Sequence, residues 1–129
     1  MFGVLTIASI QHRDVVRVDP DRLEALHLNL GERAAEDIIL RALEEISMRC
    51  AKLDEARRKG DTARIGSVAR GLSAIADQIG LVTLARVSRD VAVCAVHNDT
   101  PALAATMSRF SRVADRSLSA AWDFEGQYV

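Results

Sequence analysis

The chain has 129 residues, of which 49% are hydrophobic, 27% are charged and only 4% are aromatic. These proportions are typical of one folded globular domain and exclude a wholly disordered chain. The formal net charge is −1, so no overall field attracts the protein to nucleic acid or to an anionic membrane surface. A core of Leu, Ile, Val and Ala favours helices packed on helices over a β-sandwich.

The first 18 residues contain two short runs of β-prone side chains, at residues 2–7 and 15–18, with a polar stretch between them. This pattern predicts a short hairpin or an extended arm. The apolar residues 1–10 have no basic leader and no cleavage site, and they are too few to span a bilayer. We therefore expect neither a signal peptide nor a membrane span here, and a soluble, cytoplasmic protein.

Helical signals begin at Asp19, whose carboxylate can accept hydrogen bonds from the first amides of a helix, while Pro20 suits the first helical position. The leucines that follow fall on one face, and Gly31 ends this short helix. A long amphipathic helix is predicted from residue 32 to residue 59, because its apolar residues recur at steps of three and four. These residues are Ala35, Ile39, Ala42, Leu43, Ile46, Cys50 and Leu53.

The third helix is predicted from a cap at Asp61 or Thr62 to a stop at Gly80, and the fourth follows at once and reaches about His97. Both carry apolar residues at helical spacing. In the third helix these are Ile65, Val68, Leu72, Ile75, Ala76 and Ile79, and in the fourth they are Leu81, Leu84, Val91 and Ala95. Each helix therefore has one face suited to a shared core.

The last helix begins at a turn where Thr100 or Asp99 acts as the cap, and its apolar stripe continues to residue 121. Residues 122–129 are predicted to form an aromatic tail that can fold back onto the bundle or the arm. One short helix followed by four amphipathic helices with short connections predicts an antiparallel four-helix bundle. The chain is then one domain, with residues 1–18 as an arm, 19–121 as the bundle and 122–129 as the tail.

The side of the third helix opposite its apolar stripe carries very small side chains. On a helical wheel Arg70 points almost directly away from the core. A solvated helix face normally carries long charged residues, whereas small residues let another surface approach the backbone. We interpret this face as a docking surface centred on Arg70, and the alternative is that the arm or the tail covers it. The face is predicted to consist of Ala63, Gly66, Arg70, Ser73, Ala74 and Asp77.

The same helix resembles the motif of histidine-containing phosphotransfer (HPt) domains. That motif reads alanine, the phosphorylated histidine, any residue, leucine, lysine, glycine, then a small residue, and later isoleucine-glycine. Residues 69–80 read ARGLSAIADQIG, so Arg70 stands in place of the histidine, Ser73 in place of the lysine and Ala74 in place of the glycine. The positions that fit the motif are Ala69, Leu72, Ala76, Ile79 and Gly80.

The resemblance covers roughly residues 19–121 and implies an HPt-like bundle that acts in two-component signal transduction. It does not imply the family's chemistry, because phosphotransfer needs a neutral ring nitrogen as nucleophile. Arginine is always protonated and has no lone pair with which to attack. The remaining histidines, which we interpret as surface or capping residues rather than relay groups, are His12, His27 and His97.

We therefore predict a non-catalytic module that binds the receiver domain of a response regulator, or a histidine kinase. The resemblance implies that Arg70 takes the place of the phosphohistidine against the acidic pocket of a receiver, and a guanidinium pairs well with carboxylates. The predicted binding residues are Arg70, Gly66, Ser73, Ala74 and Asp77. The alternative is a structural bundle that self-associates as a homodimer and has no phosphorelay partner.

Other classes of function are not predicted. The sequence has no P-loop, no glycine-rich dinucleotide motif, no HExxH and no nucleophile–base pair at motif spacing, so we do not expect an enzyme. Cys50 and Cys94 are far apart and form no zinc motif, so neither a metal nor a cofactor is expected. The basic residues lack interleaved aromatic side chains, which disfavours nucleic-acid binding. No membrane partner is expected.

Overall fold

The structure, a computed structural model, describes residues 16–126 and folds them into five helices. In chain order these are α1 (Pro20–Leu30), α2 (Glu32–Lys59), α3 (Thr62–Gln78), α4 (Val82–Val96) and α5 (Thr100–Gly126). Within residues 16–126, β-type pairing is limited to an isolated bridge, so the all-α prediction is confirmed for this range. The predicted hairpin or arm falls mostly on residues 1–15, which lie outside the described residues.

Aspartate side chains begin three of the helices. Each carboxylate accepts a hydrogen bond from a backbone amide two or three residues ahead, at 3.0 or 3.1 Å. Such a bond satisfies one of the amides that have no partner in the first turn. The sequence allowed either Asp61 or Thr62 to cap the third helix, and either Asp99 or Thr100 to cap the last. In the structure the aspartate is the cap in both cases. The caps are Asp19, which accepts from Asp21; Asp61, which accepts from Arg64; and Asp99, which accepts from Ala102.

Glycines with positive φ follow α2 and α3. Gly60 has a φ of +68°, and its amide donates to carbonyl groups in the last turn of α2. Gly80 has a φ of +76° and lies in the connection between α3 and α4. A Cβ added at Gly80 would lie 2.8 Å from the carbonyl oxygen of Asp19. Because the left-handed region is costly for residues with a Cβ, both the backbone conformation and the close contact require glycine at position 80.

Residues 16–19 are extended and pair with the connection between α3 and α4. Val18 forms an isolated antiparallel bridge with Leu81. The amide of Asp19 donates to the carbonyl of Gly80 at 2.7 Å. This pairing fixes the start of α1 against the end of the bundle at which α3 ends and α4 begins.

Consecutive helices pack against one another, and α3 and α4 share the most extensive contact among the described helices. The helix α5 also touches α2, although only over a short stretch. The helices enclose one hydrophobic core, to which α5 adds Met107, Phe110 and Val113. Its largest fully buried side chains are Leu23, Ile39, Leu43, Ile46, Leu53, Ile65, Leu72, Ile79, Leu81, Leu84, Val87 and Val91.

The predicted end of the last helix is wrong, because α5 continues past residue 121 to Gly126. The predicted tail is therefore helical as far as Gly126, and residues 127–129 lie outside the described part. The sequence contains no Gly or Pro between residues 121 and 126 that would end the helix. Tertiary contacts hold the additional turn, since Phe124 packs against the core and Glu125 is bound to α1.

His27 and Glu125 form a buried pair that joins α1 to the last turn of α5. Nε2 of His27 lies 3.2 Å from Oε1 of Glu125, and each side chain is only 6% exposed. The interpretation of His27 as a surface residue is therefore wrong, because Glu125 reaches it from the far end of the chain. The pair holds the end of α5 on α1, because removing either side chain would leave the other buried with one partner fewer.

Replacing Gly80 by alanine should destabilise the protein more than replacing Gly60. At both positions alanine must adopt a positive φ, which costs about 1–2 kcal/mol. At Gly80 its Cβ also meets the Asp19 carbonyl, whereas nothing lies within 4 Å of a Cβ at Gly60. Urea denaturation followed by circular dichroism measures both losses. Equal losses would contradict the contact between the start of α1 and the α3–α4 connection.

Replacing Leu72 by alanine should lower the free energy of unfolding by about 2–5 kcal/mol, because Leu72 is completely buried. Ile75 is half-buried, so Ile75→Ala should cost less. The control is Met48→Ala, since Met48 is 56% exposed and its loss should cost below about 1 kcal/mol. A Leu72→Ala variant as stable as Met48→Ala would mean that α3 is rotated about its axis relative to the structure.

Candidate functional site

Helices α3 and α4 meet along two rows of small, buried side chains, which we call the small-residue seam. Within each row the residues are spaced by three, four and three positions, which places them on one stripe of the helix. A Cβ added at Gly66 would lie 3.7 Å from the Cβ of Ala95, so the two helix backbones approach closely at this point. The rows are Gly66, Ala69, Ser73 and Ala76 on α3, and Ala85, Ser88, Ala92 and Ala95 on α4.

The seam corrects the predicted outward face of α3. Gly66 and Ser73 were expected to face outward, and the structure buries both of them against α4. Their small size therefore serves packing inside the protein. The prediction failed for these two because α3 packs against α2 on one side and α4 on the other, so its buried face is wider than its apolar stripe.

Arg70, Ala74 and Asp77 are exposed as predicted, and so is Ala63. Ser67, which the wheel did not assign to this face, is exposed beside them. Arg70 therefore still stands among short side chains on α3. We call the exposed residues Ala63, Ser67, Arg70 and Ala74 the Arg70 surface.

Ser73 and Asp77 both bind Arg89 of α4. Nη1 of Arg89 donates to Oγ of Ser73 and to Oδ2 of Asp77, each at 3.1 Å. The side chains of Arg89 and Asp77 are 52% and 54% exposed, so water screens the ion pair and its contribution to stability is small. Asp77 is thus engaged within the protein, and its contact with a partner stays a prediction.

Arg70 projects from the middle of α3, and its side chain bends back toward Gly66. Nη1 of Arg70 lies 3.4 Å from the position that a Cβ at Gly66 would occupy, as expected because helical side chains lean toward the N-terminus. Arg70 forms no hydrogen bond or ion pair within residues 16–126. Among the described residues, none accepts a hydrogen bond from any of the five N–H donors of its guanidinium.

A shallow groove of about 410 Å³ lies beside Arg70 on the surface that α3 and α4 share. Its floor is apolar, and no carboxylate lines it. Val93 and Val96 belong to this floor although they are 55% and 69% exposed, and exposed apolar side chains that adjoin one another are typical of interaction sites. We call it the Arg70 groove, and its lining residues are Arg70, Arg89, Ala92, Val93, Val96 and His97.

Helix α2 forms the opposite flank of the Arg70 surface. The guanidinium of Arg49 lies over Gly71, in the space that a Cβ would occupy there. Nε of Arg49 donates to Oε1 of Glu45 at 2.8 Å. Arg49 and the Arg89 side chain of α4 thus each have a carboxylate partner, whereas Arg70 between them has none among the described residues.

Sequence reasoning missed Arg89, Val93, Val96 and His97 as parts of the site. The sequence pattern does indicate that the two valines are exposed apolar residues, because they lie three residues apart, and so on one side of α4, but outside its predicted inward stripe. His97 follows α4 and is exposed, as predicted, but its place in the Arg70 groove depends on how two helices pack. His12 lies outside the described residues.

Ionisable groups with shifted pKa values lie on α2. Burial, with a smaller contribution from the charge of Asp115, raises the pKa of the Cys50 thiol to about 11. A raised pKa keeps this thiol protonated and unreactive. Two carboxyl groups have lowered pKa values, mainly through hydrogen bonds from cations on the same helix: Asp54, bound by Arg57, and Glu55, bound by Lys59.

Comparison with known proteins gave no match: no protein-family model matches the sequence, and neither a curated protein nor a solved structure is significantly similar to it.

Among the described residues, no group of three or more His, Cys, Asp or Glu side chains is arranged to hold a metal ion. No helix within residues 16–126 combines the length and the hydrophobicity needed to cross a lipid bilayer.

Cys50 should resist alkylation in the folded protein. The thiolate is the reactive form of cysteine, and a pKa of about 11 leaves very little thiolate at pH 8. In a Cys94→Ser variant, the reaction of Cys50 with iodoacetamide should be roughly 100-fold slower than that of a free cysteine at pH 8 and should accelerate up to pH 11. The urea-unfolded variant is the control. Fast alkylation of the folded variant at pH 8 would contradict the raised pKa of Cys50.

Proposed function

We propose that this protein is a non-catalytic, HPt-like signalling module that binds the receiver domain of a response regulator, or a histidine kinase, without phosphotransfer. The observation that carries the proposal is the exposed guanidinium of Arg70, which has no partner among the described residues and stands beside an apolar groove. The motif of residues 69–80 suggests the class of partner. The proposal places the protein in the cytoplasm and assigns it no cofactor, nucleic acid or membrane.

The proposed HPt-like fold is an antiparallel bundle of α2, α3, α4 and α5, with α1 added to it. The connections between these four helices have only two or three residues, which favours reversal of direction at each connection. Contacts across the seam support this arrangement for α3 and α4. Arg89 binds Asp77, while Ala95, later on α4, lies beside Gly66, earlier on α3.

Arg70 is suited to docking and unsuited to phosphotransfer. Its planar guanidinium offers paired donors that match a carboxylate or a phosphoryl group. It has no lone pair with which to form a bond to phosphorus. If the partner is a receiver, its acidic pocket would meet Arg70 while an apolar side chain of the partner fills the groove at Val93 and Val96.

The predicted binding residues have different parts in this proposal. Arg70 and Ala74 contribute the exposed surface, and Asp77 holds Arg89 at the edge of the groove. Gly66 and Ser73 are buried, so they act by bringing α4 against α3. A partner would therefore touch residues of both helices, although the motif lies on α3 alone.

The alternative is a structural bundle that self-associates as a homodimer and has no phosphorelay partner. The exposed Val93 and Val96 favour it, since a second copy could cover them. A symmetric contact through this groove would bring the two copies of Arg70 to one interface, whereas Arg89 is already paired with Asp77. No carboxylate lines the groove to offset their repulsion, and like charges across an interface are costly. This charge argument favours an acidic partner over a second copy.

Replacing Arg70 by glutamate should abolish partner binding and leave the fold intact, because the side chain is exposed and outside the core. The measurement is a pull-down of the protein against a panel of receiver domains and histidine-kinase cores from the same cell. Wild type should capture one or two of them, and the variant should bind them at least about tenfold more weakly.

The matched control is Arg41→Glu, which makes the same charge change at an exposed position of α2. It should retain binding, whereas an equal loss in both variants would assign the effect to net charge. Unchanged binding by Arg70→Glu would contradict the Arg70 surface as the docking site. Failure to capture any receiver or kinase, together with the mass of a dimer in solution, would favour the self-associating bundle.

A further inference from the structure

The chain enters the described part of the structure beside the start of α4. Val18 forms its antiparallel bridge with Leu81. One residue earlier, the amide of Arg17 donates to Oγ1 of Thr83 at 2.7 Å. Read backward from Val18, the chain therefore follows the α3–α4 connection in the direction that leads into α4. The residues before position 16 thus start next to the helix that carries most of the Arg70 groove.

Residues 2–10, which we call the apolar segment, precede this entry point and carry no charged side chain. They belong to residues 1–15, which lie outside the described part of the chain. Transfer of large apolar side chains from water to an apolar surface is favourable. The apolar segment therefore favours contact with an exposed apolar surface of the bundle. Its large apolar residues are Phe2, Val4, Leu5, Ile7 and Ile10.

The Arg70 groove lies within reach of the apolar segment. A helix rises about 1.5 Å per residue, so Val93 and Val96 lie about 15 and 20 Å along α4 from Thr83. An extended chain covers about 3.3 Å per residue, so the stretch from Val16 back to Ile10 can span about 20 Å. Residues 2–10 can therefore reach the floor of the groove at the two valines.

The floor of the Arg70 groove leaves more apolar surface uncovered than a second, larger groove does. Val93 and Val96 are 55% and 69% exposed. The second groove, of about 640 Å³, lies between the end of α2, the start of α3 and the first half of α5. Its apolar residues Ile65, Leu103 and Met107 are only 2%, 9% and 5% exposed. Contact with Val93 and Val96 therefore removes more apolar surface from water.

We propose that the apolar segment of the same chain occupies the floor of the Arg70 groove at Val93 and Val96, and that an acidic partner displaces it. The segment has no carboxylate for Arg70, so it covers the apolar floor and leaves the guanidinium to the partner. Attachment to the same chain keeps the segment at a high effective concentration beside the groove. The displacement rests on the proposed function, whereas the contact within the chain does not.

Photo-crosslinking of the full chain tests the contact, with p-benzoylphenylalanine in place of the exposed Val93. Irradiation and trypsin digestion should yield a product that joins position 93 to the peptide of residues 1–13, which ends at Arg13. The same substitution of the exposed Met48 on α2 is the control and should not yield a product with this peptide. An equal mixture of ¹⁵N-labelled and unlabelled chains distinguishes a contact within one chain from a contact between two copies.

Lysine substitutions in the apolar segment provide matched variants. Leu5→Lys combined with Ile7→Lys should reduce the crosslink from position 93 at least about tenfold, because two apolar contacts are lost and Arg70 repels the added charges. Gln11→Lys, which adds a charge outside the segment, should leave the crosslink unchanged. In the pull-down, the double variant should capture the receiver domain or histidine kinase more strongly than wild type does. Circular dichroism confirms that the variants retain the helical fold.

The contact would be overturned by the absence of a crosslink between position 93 and residues 1–13, by equal yields from positions 93 and 48, or by a crosslink that survives the double lysine substitution. Products that combine a labelled with an unlabelled peptide would assign the segment to a second copy and would also overturn it. Equal capture of a partner by wild type and the double variant would overturn the displacement. A crosslink from position 93 without capture of any partner would support the contact and contradict the proposed function.

Discussion

The close packing of α3 on α4 along the small-residue seam determines where Arg70 stands. Gly66 allows α3 to approach Ala95 of α4, and this approach brings Arg70 and the exposed Val93 and Val96 to one surface. A Cβ at position 66 would already be in van der Waals contact with Ala95 and with Nη1 of Arg70, so a side chain longer than that of alanine would have to displace one of them. The candidate docking site therefore depends on buried residues that a partner would never touch.

The arginines around the Arg70 surface differ in whether a carboxylate among the described residues already binds them. Arg49 and Arg89 are each held by a carboxylate of this chain, Glu45 and Asp77, so they frame the surface and keep a defined position. Arg70 lacks such a partner among the described residues. An acidic partner would replace water around Arg70 without first breaking an internal ion pair, and opposite charge at the edge of an apolar contact favours specificity and fast association.

Local signals in the sequence were enough to predict α1 to α4, because capping aspartates and glycines at 31, 60 and 80 mark their limits. The end of α5 was not predictable in this way, since it depends on Phe124 and on the pair between Glu125 and His27, which are distant in sequence. The exposure of Arg70 could be predicted from the apolar pattern of α3 alone. The burial of Gly66 and the groove at Val93 depend on a neighbouring helix, so a wheel of α3 alone could not show them.

The central claim is that the Arg70 surface meets a receiver domain or a histidine kinase. Photo-crosslinking in the cell tests it most directly, with p-benzoylphenylalanine in place of the exposed Ser67 and, as a control, of the exposed Met48 on α2. The proposal predicts that position 67, and not position 48, crosslinks to a peptide of a receiver domain or histidine kinase, and that Arg70→Glu removes this product. Crosslinking of position 67 only to a second copy of the chain would contradict it.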